Sequence, residues 1–144
     1  MSLAADTRTT VVPALRYRDA PKAIDWLCRA LGFERHAVYE DGQGGIAHAQ
    51  LSFGNGMIML GSARDDEWSR HLALPDEVGG RVTVSLCLTV RDVDAHCAQA
   101  RAAGAVIIQE PEDKDYGGRG YGLLDLEGNC WWIGSYDAWA VHES

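Results

Sequence analysis

Two polar side chains in one extended stretch could take part in proton transfer or ligand binding. His48 and Gln50 alternate with small and apolar residues in GIAHAQLSF, so both point to one face of a strand. A histidine on such a face could act as a general base or hold a ligand by a hydrogen bond. The alternative is a structural histidine satisfied by Gln50 or by a backbone group. His48 is therefore the candidate catalytic residue, and both side chains are candidate ligand contacts.

A second group of candidates lies in YGGRGYG, where Arg119 stands between Tyr116 and Tyr121. A guanidinium pairs bidentately with a carboxylate or phosphate, and tyrosine rings can stack on a planar ligand. The alternatives are an ion pair of Arg119 with Asp125 or Glu127, and tyrosines that form the rim of a strand. No helical pattern follows these glycines, so the stretch is not a phosphate-binding loop.

Adjacent tryptophans in GNCWWIG require an explanation for both faces of their strand. Because successive strand residues point to opposite faces, we expect Trp131 to pack toward a helix and Trp132 to line a ligand surface. Trp68 could close over that surface, or it could anchor a connecting segment to the core. Further candidates for the same surface are Met57, Met59 and Ser85, and the methionines could instead be core filler.

A repeat must position these side chains. Each half of the chain contains a strand, an aspartate that caps a helix, and a glycine that ends it; the caps, Asp19 and Asp92, are 73 residues apart. The hairpin turns GNG and EGN keep this spacing from Asn55 to Gly128. We therefore expect duplicated modules at residues 11–61 and 82–136, joined by a linker at 62–81 that forms a short helix or a lid.

Strand alternation assigns the faces of each module. Ala47, Ala49, Leu51 and Phe53 are expected to face the helix, which leaves His48 and Gln50 on the other side. After the turn, Ile58 and Leu60 would face the helix. The constant repeat spacing places Tyr121 with His48, and Trp132 with Met59. This second face mixes polar, aromatic and methionine side chains, which suits a concave ligand surface.

Composition excludes several classes of function. The chain has 144 residues and a net charge of −8, which opposes nucleic-acid and anionic-membrane surfaces. No apolar run reaches the roughly 20 residues of a membrane span, and the first ten residues lack a signal-peptide core. The cysteines form no C-x-x-C motif, as is typical of reduced thiols in a cytosolic protein. We predict one cytoplasmic domain spanning residues 1–144.

The paired segments RYRDAPKAIDWLCRALGF and LTVRDVDAHCAQARAAGA, with YGGRGYGLLDLEGNCWWIG, resemble the vicinal-oxygen-chelate superfamily of glyoxalases, extradiol dioxygenases and bleomycin-resistance proteins. The resemblance covers residues 11–136. It implies an α+β fold in which two βαβββ modules form a curved mixed sheet around a ligand cup, with the helices outside. It also implies a homodimer.

In the metal enzymes of that superfamily, ligands come from the first strand of each module and from the strand after each turn. Carried onto this chain, these positions are Val12, Met59, Ser85 and Trp132. None is a histidine or a carboxylate, which are the ligands that such divalent metals require. We expect no cofactor, and a divalent metal is possible only at a non-standard site.

Three functions remain open. The first is a binding protein of the bleomycin-resistance type that holds a small organic molecule in an aromatic cup without a metal. The second is a metal-dependent lyase, isomerase or dioxygenase whose site has moved, for instance to His48 and a nearby carboxylate. The third is a non-catalytic scaffold for another protein. The four missing ligands favour the first.

Overall fold

The computed structural model describes residues 2–140 and forms two compact units, whose boundary in the sequence falls between Leu74 and Pro75. The strands of the first unit form one mixed sheet in the order β1-β4-β3-β2, in which only β1 and β4 are parallel neighbours. Its elements are β1 (Ala14–Tyr17), α1 (Ala20–Trp26), β2 (Glu34–Glu40), β3 (Ile46–Phe53) and β4 (Gly56–Ser62).

The second unit repeats this arrangement with the strand order β5-β8-β7-β6, and β5 is parallel to β8. Its elements are β5 (Leu86–Thr89), α2 (Val93–Ala102), β6 (Val106–Asp113), β7 (Arg119–Leu124) and β8 (Cys130–Gly134). The α+β class and the two βαβββ modules are confirmed, and each sheet is open rather than closed. The expected linker is divided between the units and contributes short 3₁₀ turns at Trp68–His71 and Pro75–Val78.

Both helices begin as the aspartate caps predict. The Oδ1 atom of Asp19 accepts a hydrogen bond from the Lys22 amide at 3.2 Å, and Asp92 accepts one from the Ala95 amide at 3.0 Å. Each cap satisfies one of the amides that have no partner within the first turn of a helix. The caps therefore fix where each helix starts relative to the strand before it.

The first helix ends in an unusual way. A π-helical turn at Leu27–Leu31 continues α1 and stops at Gly32, which has a φ of +93°. The second helix is followed by Gly104, with a φ of +96°. This left-handed conformation favours glycine, so both helices end where the sequence predicts.

Each helix covers one face of its sheet. In the first unit α1 packs on β1, β3 and β4, and the strand residues Ala49, Leu51, Ile58 and Leu60 are buried. In the second unit α2 packs on β6 and β7, above the buried side chains of Leu123, Trp131 and Ile133. We call the opposite side of each sheet its open face. The sheet therefore separates a core from a surface that can meet a ligand.

The two central hairpins differ by one residue. Gly54 and Asn55 separate the paired residues Phe53 and Gly56 in the first unit. In the second unit, three residues separate Asp125 from Asn129, whose carbonyl accepts a hydrogen bond from the Asp125 amide at 2.9 Å. The repeat spacing is therefore 73 residues for the helix caps and for the strand after the turn, and 72 for the strand directly before it. A shift of one residue inverts the face of every side chain on a strand.

Among residues 2–140, no helix is long and apolar enough to span a membrane.

Candidate functional site

The open face of the first sheet carries the polar and methionine side chains that alternation predicts. Gln50 pairs across the strands with Met59, and Ser52 pairs with Met57. The Nε2 atom of His48 lies 3.1 Å from Oε1 of Gln50, and Nε2 of Gln50 lies 3.9 Å from Sδ of Met57. These side chains therefore form one connected row across β3 and β4.

The ring of His48 is held on two sides. Besides the contact with Gln50, it stacks with Tyr39 of β2, with 6.2 Å between centroids and 22° between planes. If the Gln50 oxygen is the acceptor, the proton lies on Nε2 and Nδ1 has a free lone pair. The structural interpretation of His48 thus has a partner in Gln50, and an imidazole so oriented can still accept a hydrogen bond from a ligand.

Arg16 is a functional candidate that the sequence argument missed. In β1 its neighbours Leu15 and Tyr17 face the core, so Arg16 points to the open face, where it pairs with Gly61 of β4. A Cβ on Gly61 would lie 3.1 Å from the carbonyl oxygen of Ala47 and 3.4 Å from Nη1 of Arg16. The guanidinium therefore lies against the backbone of β4 at Gly61. Alternation within ALRY was the signal that could have identified this residue.

The guanidinium of Arg16 is poorly compensated. Its Nε atom is buried without a hydrogen-bond partner among residues 2–140. Burial and the neighbouring charge of Arg64 lower the pKa of Arg16, and the charge of Asp66 partly offsets this. Leaving a charged donor partly dehydrated and unpaired costs free energy. A charged group in this state is a candidate for binding a ligand.

The nearby carboxylate is already engaged by other groups. Asp66 accepts hydrogen bonds from Nε of Arg64 at 2.8 Å and from the Ser69 amide at 2.7 Å. Hydrogen bonding from Ser69 and then from Arg64 keeps the pKa of Asp66 far below its usual range. Arg64 also donates from Nη1 to the carbonyl of Ala47 at 3.2 Å. Asp66 is thus paired with Arg64, and its charge reaches Arg16 only at longer range.

The open face of the second sheet is occupied by an indole. A Cβ on Gly120 would lie 2.5 Å from Cζ2 of Trp132, and one on Gly122 would lie 3.7 Å from its Cε3. The ring therefore lies on the backbone of β7, in a space that would be blocked by a side chain at position 120 but not by a Cβ at position 122. The Nζ atom of Lys114 lies 4.9 Å from the ring centroid, in a cation–π contact, and also pairs with Glu112. Trp132 is half-buried on the face that alternation predicts, opposite the buried Trp131.

Tyr121 does not lie on the open face, so its predicted position is wrong. It is buried on the helix side, and its hydroxyl lies 2.6 Å from Nδ1 of His96 in α2. Burial raises the pKa of the Tyr121 phenol. The extra residue of the second hairpin turn explains the error, because the residue that corresponds to His48 is Gly120. Tyr121 is a core residue.

Arg119 also points to the helix side. Its Nε and Nη2 atoms each lie 3.0 Å from a carboxylate oxygen of Asp94, and Nη1 lies 3.4 Å from Asp113. Pairing with Asp94 raises the pKa of Arg119 and lowers that of Asp94. Arg119 therefore forms an ion pair, as the alternative interpretation predicts. Its predicted partners, Asp125 and Glu127, are wrong, because the pair forms with Asp94 and Asp113. Arg119 holds α2 to β7 and its guanidinium is committed to these carboxylates.

Asp125 instead organises the second turn. Its Oδ1 atom accepts hydrogen bonds from the amides of Glu127 and Asn129, both at 3.0 Å. Its Oδ2 atom accepts one from Nε1 of Trp131 at 3.0 Å, and the side chain is buried. The acidic residue that opens the turn therefore also satisfies the one polar atom of the core tryptophan.

The other candidates are exposed. Trp68 on its 3₁₀ turn is 66% exposed, and Tyr116 is 54% exposed, with its ring edge-on to Tyr136 at 5.3 Å. Ser85 precedes β5 and is also exposed. Most of the Trp68 side chain is therefore exposed, which disfavours the interpretation that Trp68 anchors the linker to the core.

The four positions to which the resemblance assigns metal ligands hold no imidazole or carboxylate. Val12 and Met59 belong to the first unit, Ser85 and Trp132 to the second. Across residues 2–140, no group of three or more His, Cys, Asp or Glu side chains is placed to hold a metal ion. These residues do not fit the divalent metal of the superfamily's enzymes.

Comparison with known proteins gives consistent matches. The family model for the Glyoxalase/Bleomycin resistance protein/Dioxygenase superfamily matches residues 9–133. The uncharacterized protein Rv0887c of Mycobacterium tuberculosis is 30% identical over 134 residues, which is 92% of this chain and 78% of that protein.

Solved structures share the fold. TioX from Micromonospora sp. ML1 is 34% identical, with a TM-score of 0.68 over 86% of this chain and 95% of that one. A variant of FosX, a fosfomycin resistance protein from Listeria monocytogenes, has a TM-score of 0.65 at 12% identity, over 88% of this chain and 89% of that one. That structure contains Mn(II) and 1S,2S-dihydroxypropylphosphonic acid. At such low identity, the FosX match concerns the fold alone.

Proposed function

Because the chain belongs to the Glyoxalase/Bleomycin resistance protein/Dioxygenase superfamily, we propose that it binds a small organic molecule on the open faces of its sheets without the superfamily's usual metal site. Each sheet is proposed as a ligand surface by itself. On the first sheet the contacts are His48, Gln50, Met57 and Met59, and on the second sheet Trp132 provides an aromatic contact.

The observation that carries this proposal is the position of Trp132. The resemblance assigns a metal-binding carboxylate to this residue, and an indole cannot replace that ligand. The ring instead lies on Gly120 with Lys114 above it, which makes a preformed apolar and cationic surface. A planar organic group can stack against such a surface beside the lysine or in its place.

The chemistry of the first sheet supports the same function. Methionine side chains adapt to ligands of irregular shape, and Gln50 and His48 supply hydrogen-bonding groups at one edge of them. A few directional polar groups beside an apolar wall are typical of sites for small organic molecules. His48 could also act as a base if the ligand is a substrate.

Metal analysis of the purified protein is the first test. We expect divalent metal far below one ion per chain by mass spectrometry of the elements, both before and after addition of Mn(II), Zn(II) or Ni(II) followed by gel filtration. A stoichiometric ion that survives gel filtration would favour the alternative, a metal-dependent lyase, isomerase or dioxygenase. The His48→Ala variant then decides whether that ion uses the imidazole.

Native mass spectrometry tests binding itself. Comparison of intact mass before and after denaturation reveals a co-purified organic ligand, and Trp132→Ala should lose it. Lys22→Ala, a change on the first turn of α1, is the matched control and should retain it. A ligand retained equally by both variants would remove Trp132 from the site.

We also propose a homodimer. Strands β2 and β6 lie at the edges of their sheets and carry exposed apolar side chains, among them Tyr39 and Val106. Exposed edges of this kind are usually covered by association. Light scattering should give twice the chain mass of 15.7 kDa, and a stable monomer would contradict the proposal.

The cytoplasmic location and the lack of nucleic-acid and membrane partners stay predictions from the sequence.

A further inference from the structure

The guanidinium of Arg16 forms no ion pair among the described residues. Its side chain crosses Gly61 on the open face, and its Nε atom is buried without a partner among residues 2–140. The side chain as a whole is partly exposed, so its terminal nitrogens can be reached from outside. A guanidinium in this state can donate hydrogen bonds to acceptor atoms of a ligand, because residues 2–140 do not supply them.

The charges around Arg16 define the kind of acceptor. Arg64 is close enough to lower the pKa of Arg16, and Asp66 is fully used by Arg64 and Ser69. Asp41 also lies within electrostatic range of Arg64, so the negative charges at this end of the sheet belong to Arg64 rather than to Arg16. Arg16 is therefore the cation without an acceptor, and a planar carboxylate matches the fork of its guanidinium.

The surroundings of Arg16 define the rest of the ligand. Met59 lies two residues before Gly61 on the same face of β4, which is about 7 Å along a strand. Met57 lies two residues further along the same face. An organic acid of modest size can therefore place its charged end at Arg16 and its apolar body on the methionines.

We propose that Arg16 binds the carboxylate of an apolar organic acid whose body lies on Met57 and Met59, with Arg64 as the supporting positive charge. The inference rests on the proposed function, because it specifies the class of ligand for the same open face. It predicts selection for an acid over its neutral amide, which an apolar surface alone would not produce.

A matched pair of probes, 2-naphthoate and 2-naphthamide, tests this selection by NMR. The two molecules share the apolar body and differ in charge. The chain has three methionines, so methyl-labelled methionine gives isolated signals for Met57 and Met59. Labelled arginine side chains report Arg16 through its Nε–H signal. We expect naphthoate to shift the signals of Met57, Met59 and Arg16, and naphthamide to bind more weakly without shifting Arg16 in the same way.

Two variants that each remove one positive charge distinguish a local contact with Arg16 from long-range electrostatic attraction of the acid. Arg16→Gln should weaken naphthoate binding roughly ten- to a hundredfold and leave naphthamide unchanged, since hydrogen bonds to charged groups have this strength. Arg101→Gln removes an arginine that pairs with Glu110 in the second unit, and it should leave both affinities unchanged. If Arg16→Gln and Arg101→Gln weaken naphthoate equally, long-range charge explains the binding and the inference is wrong.

The methionine signals distinguish failure of this inference from failure of the proposed function. If both probes shift the methionine signals with equal affinity and Arg16 does not respond, the surface binds organic molecules without selecting acids. The inference then fails and the proposed function stands. If neither probe shifts any of the three signals up to millimolar concentration, this face does not bind such molecules and both proposals fail for the first sheet.

Discussion

In the first unit, Nη1 of Arg16 lies 3.4 Å from the Cβ position of Gly61; in the second, Nε1 of Trp132 lies 3.4 Å from that of Gly134. These two glycines hold the same place in the repeat, on β4 and β8. At both places the nearest atom to a Cβ would be a carbonyl oxygen of the neighbouring strand, and the side chain beside it is a cation in one unit and an indole in the other. The scaffold fixes where a group can lie, and the residues at a few open positions decide its chemistry.

The two units also treat an arginine differently. Arg119 forms a bidentate pair with Asp94 on the helix side, whereas Arg16 lies on the open face with an unpartnered Nε among the described residues. The first arrangement connects α2 to β7. The second leaves a guanidinium nitrogen without an acceptor, and the proposed binding role of Arg16 rests on this difference. Charge alone therefore does not separate a structural arginine from a candidate binding arginine, but its partners do.

The largest expected effect tests the two faces of β8. Trp131→Ala should lower the free energy of unfolding by about 3 to 5 kcal/mol, because it leaves a cavity in the core. It also removes the hydrogen-bond donor that satisfies the buried Asp125. Trp132→Ala should cost less, since its ring is half-buried on the open face. Urea denaturation of both variants measures the difference, and the reverse order would invert the two faces.

A smaller effect tests the space that the glycines leave. Gly120→Ala should cost about 1 to 3 kcal/mol, the range for overpacking, because its methyl group would overlap the ring of Trp132. Near-ultraviolet circular dichroism should show a changed environment for the tryptophan. The double variant Gly120→Ala, Trp132→Ala should recover most of the loss. If Gly120→Ala costs as much stability without Trp132 as with it, overlap with the Trp132 ring is not the cause of the loss.

A weaker effect separates the lysine from the tryptophan. Lys114→Met keeps the aliphatic stem and removes the cation, so it should lower stability by about 0.5 to 2 kcal/mol, the range for cation–π contacts from exposed to desolvated. Glu112→Gln removes only the ion-pair partner of Lys114 and is the control. Equal losses in thermal unfolding would assign the effect to the ion pair.

The smallest effect distinguishes the two arginines by their pH dependence. Pairing lowers the pKa of Asp94, so this pair stabilises the fold above the ordinary aspartate pKa of about 4, and the gain disappears as pH falls through the folded value. Arg119→Gln should be slightly less stable than the parent at neutral pH. Its free energy of unfolding should fall less than that of the parent when the pH is lowered. Arg16→Gln should keep the parent's acid response and equal or exceed its stability, since it removes an unpaired charge. Urea midpoints measured between about pH 7 and about pH 3 compare the variants.

Local patterns predicted most of the fold. The caps at Asp19 and Asp92, the glycines after the helices and the opposite faces of Trp131 and Trp132 all depend on spacing within a few residues. Such short-range rules do not depend on how distant segments pack. The predictions based on these rules therefore agree with the structure.

The errors arose where a long-range assumption replaced a local one. Tyr121 was placed by a constant repeat spacing across a turn that contains an extra residue, although alternation from Leu123 would have put it in the core. The partner of Arg119 comes from α2, a contact that no local spacing reveals. Arg16 was overlooked because its strand has only four residues, and because an unsatisfied nitrogen is visible only once its neighbours are placed.

The extra residue in the second hairpin has a consequence for protein engineering. Anyone grafting the side chains of one sheet onto the other must use two different offsets, one on each side of the turn. The counterpart of Gln50 is Gly122, while that of Met59 is Trp132. A graft designed with a single offset would send half of its residues into the hydrophobic core. Because the helix caps keep the offset of 73, the residue gained at the tip of the second hairpin is balanced by one residue fewer between the cap and the strand before the turn.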